Sequence, residues 1–278
     1  MADPAGFARQ TLREARRDNI TGEAAKVAFY LFLSLFPLVL VLFSLTGLIG
    51  GDAAFQWIMG RIQALVPGET ATFLEQYVRQ VTDQSRPDIF SLGLLLTLWA
   101  ASGGFAALAD GLNTMYDLRE RRSWWRKRVI AVGLLLAAVV LVLGGAGVIL
   151  AGPALIDRFG LPEVWFVLRW PVAFALVVAM FWLVYLVLPN RSQRGALLPT
   201  LGGAAVGAAL WLLVMAAFRL YVANFARYSE TYGFVGAVIV LMLWLQLTAA
   251  VALFGGEVAA VWESRRGVAK RPEARRAA

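Results

Sequence analysis

Six long apolar stretches dominate the chain, and charged residues concentrate in the shorter segments between them. Each stretch holds about 19 to 29 residues, whereas a hydrocarbon core of ~30 Å needs about 20 residues of helix at a rise of 1.5 Å each. The pattern therefore predicts an all-α polytopic membrane protein, a six-transmembrane-helix bundle. The predicted spans are Val27–Gly50, Ile89–Ala109, Val129–Ala151, Trp170–Leu188, Ala196–Phe218 and Gly233–Val261.

Two polar segments carry a helical periodicity of their own. Residues 51–88, between the first two spans, predict two short amphipathic helices in an external loop, which either pack on the bundle or gate it. The basic stretch Phe7–Asp18 predicts a further amphipathic helix on the cytoplasmic interface, before Thr21 caps the first span. The predicted regions are a cytoplasmic arm over 1–26, a transmembrane domain over 27–262 and a basic, disordered cytoplasmic tail over 263–278.

Composition and charge agree with a membrane protein and orient it. The chain is 60% hydrophobic with a mean hydropathy of +0.68, more apolar than a soluble domain of 278 residues. Of its 26 lysines and arginines, 19 lie in the arm, in residues 110–128, at Arg191 and Arg194, and in the tail. Because positive loops stay cytoplasmic, both termini are predicted to be cytoplasmic. The net charge of +8 then suits membrane lipids, anionic ones included, rather than nucleic acid.

Two residues stand out inside the apolar spans. Pro37 lies about 15 Å into the first span, where its ring removes a backbone hydrogen bond and predicts a kink. Gln246 lies near the middle of the last span, and its amide needs a partner inside the bundle. Either residue could line an intramembrane pathway, and an ordinary interhelical hydrogen bond would also explain Gln246.

Polar residues at one end of the spans form the main candidate site. The alternating topology places Lys26, Asp110, Asn113 and Glu257 at a similar depth near the cytoplasmic face. Since an unpaired charge at this depth costs a few kcal/mol, these side chains should face inward and pair or be hydrated. They predict either an ion-paired clasp between three helices or a cytoplasmic gate or coupling-ion site.

A second cluster is predicted at the outer ends of spans four to six. Arginines and tyrosines there either anchor the helices at the interface or meet an anionic lipid head group or solute. The cluster comprises Arg169, Arg219, Asn224, Arg227, Tyr228 and Tyr232.

Small residues in the fifth span predict a close helix approach. Gly203 and Gly207 form a small-x-x-x-small face, for which we expect packing within one chain, while a homo-oligomer stays open.

Residue types needed for much of enzyme chemistry are missing. The chain has neither histidine nor cysteine, which excludes imidazole and thiolate metal sites and catalytic Ser-His or Cys-His arrangements. No glycine-rich phosphate-binding loop or dinucleotide fingerprint is present. We therefore predict no catalytic residue, no metal, no cofactor and no enzymatic activity.

Short motifs, in order along the six spans, carry a family resemblance. They are Ala28-Phe29-Tyr30, Leu35-Phe36-Pro37, Asp110-Gly111-Leu112-Asn113-Thr114-Met115-Tyr116, Leu188-Pro189-Asn190, Leu197-Leu198-Pro199, Tyr228-Ser229-Glu230-Thr231-Tyr232-Gly233, Leu243-Trp244 and Gly255-Gly256-Glu257. With these motifs the chain resembles the YihY/BrkB family of bacterial inner-membrane proteins, formerly labelled ribonuclease BN-like. The resemblance implies a role in serum resistance or in handling lipid A precursors. A true processing nuclease of that name has histidine metal ligands, which this chain does not have.

Two functions of different kinds follow. The favoured hypothesis is a non-catalytic membrane protein that transports or organises a lipid-like amphiphile or a small solute. The alternative is a membrane scaffold for envelope or virulence machinery, whose protein partners the sequence does not identify. A transporter predicts a hydrated or lipid-accessible cavity between the spans, and a scaffold predicts a sealed bundle with a partner groove.

Overall fold

The fold, given by a computed structural model that describes residues 3–45, 87–159, 162–191 and 197–267, is helical. No strand occurs among these residues. Most of the external loop and the tail beyond residue 267, for which helices and disorder were predicted, lie outside the described residues. The helices are α1 (Pro4–Arg17), α2 (Ile20–Leu45), α3 (Pro87–Met115), α4 (Trp124–Phe159), α5 (Pro162–Val187) and α6 (Leu197–Arg265).

The start of α2 is set by an asparagine. Asn19 adopts a left-handed backbone conformation (φ 48°), which asparagine tolerates better than most residues. Its side-chain oxygen accepts a hydrogen bond from the N–H of Gly22, 3.3 Å away. The N-terminal cap of α2 is therefore Asn19, and the prediction of Thr21 was wrong because Thr21 already lies inside the helix.

Three helical segments are long and apolar enough to cross a bilayer, judged over the described residues alone. They are Leu168–Val187, Leu197–Val222 and Val238–Arg265, which correspond to the fourth, fifth and sixth predicted spans. The all-helical, membrane-spanning class is thus confirmed for this part of the chain.

Helix α6 turns back on itself. A Cβ placed on Gly203 would lie 2.5 Å from the carbonyl oxygen of Gly255 and 2.6 Å from the Cβ of Ala259. These residues are about 50 positions apart, which a straight helix would separate by about 75 Å. The helical backbone must therefore reverse between Gly207 and Gly255, as the two antiparallel predicted spans require.

Glycines let the two halves of α6 and helix α5 approach closely. Gly203 packs within the chain, as expected, and a Cβ on Gly207 would lie 3.0 Å from the hydroxyl of Tyr185. That buried hydroxyl donates a hydrogen bond of 2.6 Å to the carbonyl of Ala252, a carbonyl in the second half of α6. A larger residue at Gly203 would push these backbones apart.

The chain divides into two compact units. One comprises Met1–Phe29 and Gly104–Ala278, and the other comprises Tyr30–Gly103. The first unit contains the buried core residues of α6 together with the start of α2 and the end of α3. Of the candidate site residues, only Pro37 belongs to the second unit, and the others belong to the first.

Candidate functional site

The loop between α3 and α4 folds back onto the end of α3. Asp117 has a left-handed conformation (φ 51°), and the N–H of Leu118 donates to the carbonyl of Asn113 over 2.7 Å. Aspartate is one of the few residues other than glycine that adopts this conformation at low cost. The sharp turn directs Glu120 towards Asn113.

Asn113 links the α3–α4 loop to the segment that follows α5. Its side-chain Nδ2 donates to Glu120 Oε2 over 2.9 Å, and its Oδ1 accepts from the backbone N–H of Asn190 over 2.7 Å. The side chain of Asn190 in turn donates to the carbonyl of Arg119 over 2.9 Å. Only 3% of Asn113 is exposed, so its amide replaces water for both partners. It fastens the α3–α4 loop to the residues that follow α5.

Arg122 forms a second link between the α3–α4 loop and the segment that follows α5. Its guanidinium donates to both oxygens of Glu120, over 2.9 and 2.8 Å, and to the carbonyl of Leu188 over 2.6 Å. These charge-assisted bonds from Arg122 are the main reason why the pKa of Glu120 falls to about 2. Glu120 is therefore an anion throughout the physiological range.

Arg191 connects the end of α5 with the end of α6. Its guanidinium donates to Glu263 over 2.8 Å and to the carbonyl of Tyr185 over 3.2 Å. It also stacks over the ring of Tyr116, with Cζ 4.1 Å from the ring centroid. Burial raises the pKa of the Tyr116 phenol above its usual value, so this group stays neutral. We call these residues the polar junction: Asn113, Tyr116, Glu120, Arg122, Asn190, Arg191 and Glu263.

Glu257 lies beside the polar junction and is fully buried, with 0% exposure. Its carboxyl group lies close enough to Tyr116 of the junction to influence it electrostatically. The adjacent Gly256 packs against Leu112 and Tyr185, so α3 and α5 both approach the helix here. The structure thus brings Glu257 and Asn113 to the same end of the bundle.

The two remaining members of the predicted cluster form ion pairs with residues that the sequence analysis did not single out. Lys26 pairs with Glu23 and Asp110 pairs with Lys127, both over 2.5 Å. Lys26 and Asp110 are each 41% exposed, in contrast to the buried Glu257. The side chain of Glu23 lies next to Gly111, which brings the start of α2 to the end of α3.

Some of the residues that the sequence analysis did not single out are nevertheless marked by a sequence pattern. Glu23 is three residues before Lys26, a spacing that places the two on one helix face. Asn190 belongs to the Leu-Pro-Asn motif. Arg122 and Arg191 had none, because their charges had been attributed to membrane topology alone, and no sequence pattern marked Glu263.

The predicted pathway is described only in part. Pro37 lies within α2, but its side chain is outside the described residues. Gln246 is half-buried in α6, two residues beyond Trp244, whose indole N–H donates to the sulfur of Met215 over 3.0 Å.

The second predicted cluster is likewise partial. Arg169 is half-buried, with Cζ 5.5 Å from the centroid of the Trp170 ring, and Arg219 is exposed. The side chains outside the described residues are those of Asn224, Arg227, Tyr228 and Tyr232.

The described residues contain no group of three or more aspartates and glutamates placed to hold a metal ion. Histidine and cysteine are absent from the whole chain.

Comparison with known proteins gives one family and several full-length relatives. The family described as Virulence factor BrkB matches residues 11–278. The ribonuclease-like protein YfkH of Bacillus subtilis is 29% identical over 274 residues, which cover 94% of each chain. A UPF0761 membrane protein of Pseudoalteromonas atlantica is 25% identical, covering 92% of this chain and 86% of its own length. One of Coxiella burnetii is 26% identical and covers 90% of both chains. No solved structure is detectably similar.

Proposed function

The chain belongs to the Virulence factor BrkB family of membrane proteins, and from that premise we propose that it transports or organises a lipid-like amphiphile or a small solute without catalysis. It acts in the bacterial inner membrane with both termini in the cytoplasm, and the concentration of 19 of its 26 basic residues in alternate segments supports this orientation. Because six is an even number of spans, a six-span chain has both termini on the same side of the membrane.

One observation carries the proposal: the Glu257 carboxylate is completely buried within a segment that can cross the membrane. An ionisable group in such a segment is costly, and where it is kept it commonly marks a substrate, ion or proton pathway. Gly255 and Gly256 beside it allow two other helices to pack close to the carboxylate. Glu257 is accordingly the residue whose charge should matter most.

The polar residues at this end of the helices divide into a strongly bonded group and two weaker ion pairs. The polar junction is multiply bonded, and Asn113, Tyr116 and Glu263 are buried within it, so separating its buried charges would leave groups desolvated at a cost of about 3–5 kcal/mol. The pairs Lys26–Glu23 and Asp110–Lys127 are more exposed, and such pairs contribute about 0–1 kcal/mol. In our proposal the gate opens by exchanging these weaker ion pairs, Asn113 holds the helix ends in register, and Glu257 is the ionisable group of the gate.

The rest of the pathway follows the predicted residues. Pro37 and Gln246 line the intramembrane part, and a cluster at the opposite end receives an anionic head group or solute. That cluster comprises Arg169, Arg219, Asn224, Arg227, Tyr228 and Tyr232.

Reconstitution into liposomes tests the transport proposal. The purified protein should accelerate exchange of labelled phospholipids between leaflets, or uptake of labelled solutes, relative to empty liposomes. Glu257→Gln keeps the shape of the side chain and removes its charge, so it should abolish the activity while the protein still inserts and folds. Glu14→Gln makes the same change on α1 and should leave the activity intact. If wild-type and empty liposomes behave alike, the chain is better explained as a scaffold.

A nuclease function can be tested separately. The ribonuclease-like name belongs to a relative, and this chain contains no histidine or cysteine from which the expected metal centre could be built. We expect transfer RNA precursors to stay intact with the purified protein in magnesium, manganese or zinc. Trimming that follows the protein through successive columns would contradict this expectation.

A further inference from the structure

Helix α1 has two faces of different chemistry. Phe7, Thr11 and Ala15 recur at a spacing of four residues, and Thr11 and Ala15 are buried. At 100° per residue, a second stripe is centred roughly 150° away, on the opposite side of the helix. This outward stripe consists of the exposed residues Arg9, Leu12, Arg13 and Arg16.

Helix α1 is attached to the rest of the protein near both of its ends. Arg265, at the end of α6, donates to Gln10 over 2.9 Å and stacks over Phe7, with Cζ 5.3 Å from the ring centroid. Arg17 lies 3.8 Å from Asp117 in the loop that follows α3. These contacts orient α1, so the outward stripe points away from the protein.

Two exposed tryptophans indicate the depth of α1 relative to the lipid head groups. The loop that contains Asp117 leads directly into α4, whose first residues are Trp124 and Trp125. Both indoles are exposed, by 51% and 68%, although their rings contact each other edge to face, 4.5 Å between centroids. Tryptophans at the end of a membrane helix sit at the level of the lipid head groups. Through Arg17 and Asp117, α1 is linked to this same level.

We propose that the outward stripe of α1 binds the anionic phospholipid head groups of the bilayer that the chain itself spans. Three guanidinium groups complement phosphate and anionic head-group charge, and Arg forms paired hydrogen bonds with phosphate oxygens. Leu12, 53% exposed among these arginines, enters the boundary between head groups and acyl chains. The inference needs only that α2 and α4 enter the membrane, and it does not depend on the transport proposal.

An acidic protein partner is the competing occupant of this stripe. The lipid is favoured because α1 is connected to the membrane helix α2 through only Asp18 and Asn19, so the bilayer surface is always within reach. An exposed leucine within an arginine stripe also suits a head-group layer better than a purely charged protein surface.

A single introduced cysteine can test the proposal, because the full chain has none. Leu12→Cys, labelled with an environment-sensitive fluorophore, is placed in nanodiscs of phosphatidylcholine alone or with about a third phosphatidylglycerol. We expect a blue-shifted emission and quenching by head-group spin labels in the anionic discs, and reversal of both at high salt. At about fivefold per arginine, the stripe should favour the lipid-bound position on the order of 100-fold.

Three triple variants decide the outcome. Arg9→Gln, Arg13→Gln and Arg16→Gln together should remove the response to phosphatidylglycerol, whereas the corresponding lysine triple should keep it. The control removes the same charge from three other exposed arginines and should behave like the parent. Equal emission in both kinds of disc, or a response that survives the first triple, would overturn the proposal and favour an acidic protein. The control variant is Arg119→Gln, Arg121→Gln and Arg126→Gln.

Discussion

Truncating Asn113 should destabilise the protein, because one side chain bonds to both of the segments that meet in the polar junction. Asn113→Ala leaves the N–H of Asn190 without its acceptor in a partly buried place, at a cost of about 1–3 kcal/mol. It also removes the bond to the Glu120 carboxylate. Since Glu120 keeps Arg122 and some water, we assign this second loss about 1 kcal/mol. The free energy of unfolding should therefore fall by about 2–4 kcal/mol in total.

The assay is reversible unfolding in mixed micelles as the fraction of denaturing detergent rises. Asn190→Ala is the control, because it removes only the more exposed bond to the Arg119 carbonyl and should cost less than about 1 kcal/mol. Asn113→Asp keeps the acceptor for Asn190 but places a second carboxylate beside Glu120. Its defect should therefore shrink as the pH falls towards about 4. Equal losses for Asn113→Ala and Asn190→Ala would refute the reasoning.

Three further outcomes follow from packing and charge. Gly203→Ala should destabilise by about 1–3 kcal/mol because its Cβ would meet a backbone carbonyl, whereas Gly133→Ala, with nothing within 4 Å, should be neutral or stabilising in the same melting assay. Arg191→Gln should cost about 3–5 kcal/mol by leaving Glu263 buried without its cation, and Arg191→Lys clearly less; equal losses would contradict a role for the charge. The pKa of Glu120 lies near 2 against 4.5, so its contribution is complete above about pH 4.5 and disappears as the pH falls towards 2. Glu120→Gln should flatten that part of the pH–stability curve, and an unchanged curve would exclude Glu120 as its cause.

The membrane class and the close helix approach could be predicted because both depend on local pattern. A run of about 20 apolar residues has few alternatives to a membrane helix, and the structure provides such helices around Leu168–Val187, Leu197–Val222 and Val238–Arg265. Gly203 and Gly207 predicted a tight contact from spacing alone, and Gly255 and Tyr185 now provide its other side.

The N-terminal cap of α2 and the partners of the predicted charged residues were harder to predict from the sequence. Thr21 and Asn19 are both good N-cap residues, and only the left-handed backbone at Asn19 decides between them. Lys26 and Asp110 were predicted to share a depth and to pair or be hydrated, and each pairs with a residue of its own segment or of the next helix. Depth follows from sequence position, whereas the choice of partner depends on how the helices are rotated.

The polar junction shows that charged residues at the ends of membrane helices have two roles, orienting the chain in the membrane and fastening its helices together. Arg191 counts among the basic residues that orient the chain, yet its side chain is about one-tenth exposed and paired with a glutamate 72 positions away. A residue that only sets orientation needs water, whereas a buried guanidinium needs a carboxylate, a carbonyl or a ring, and Arg191 has all three. Burial, which one sequence does not reveal, therefore separates the arginines that orient the protein from those that fasten its helices together.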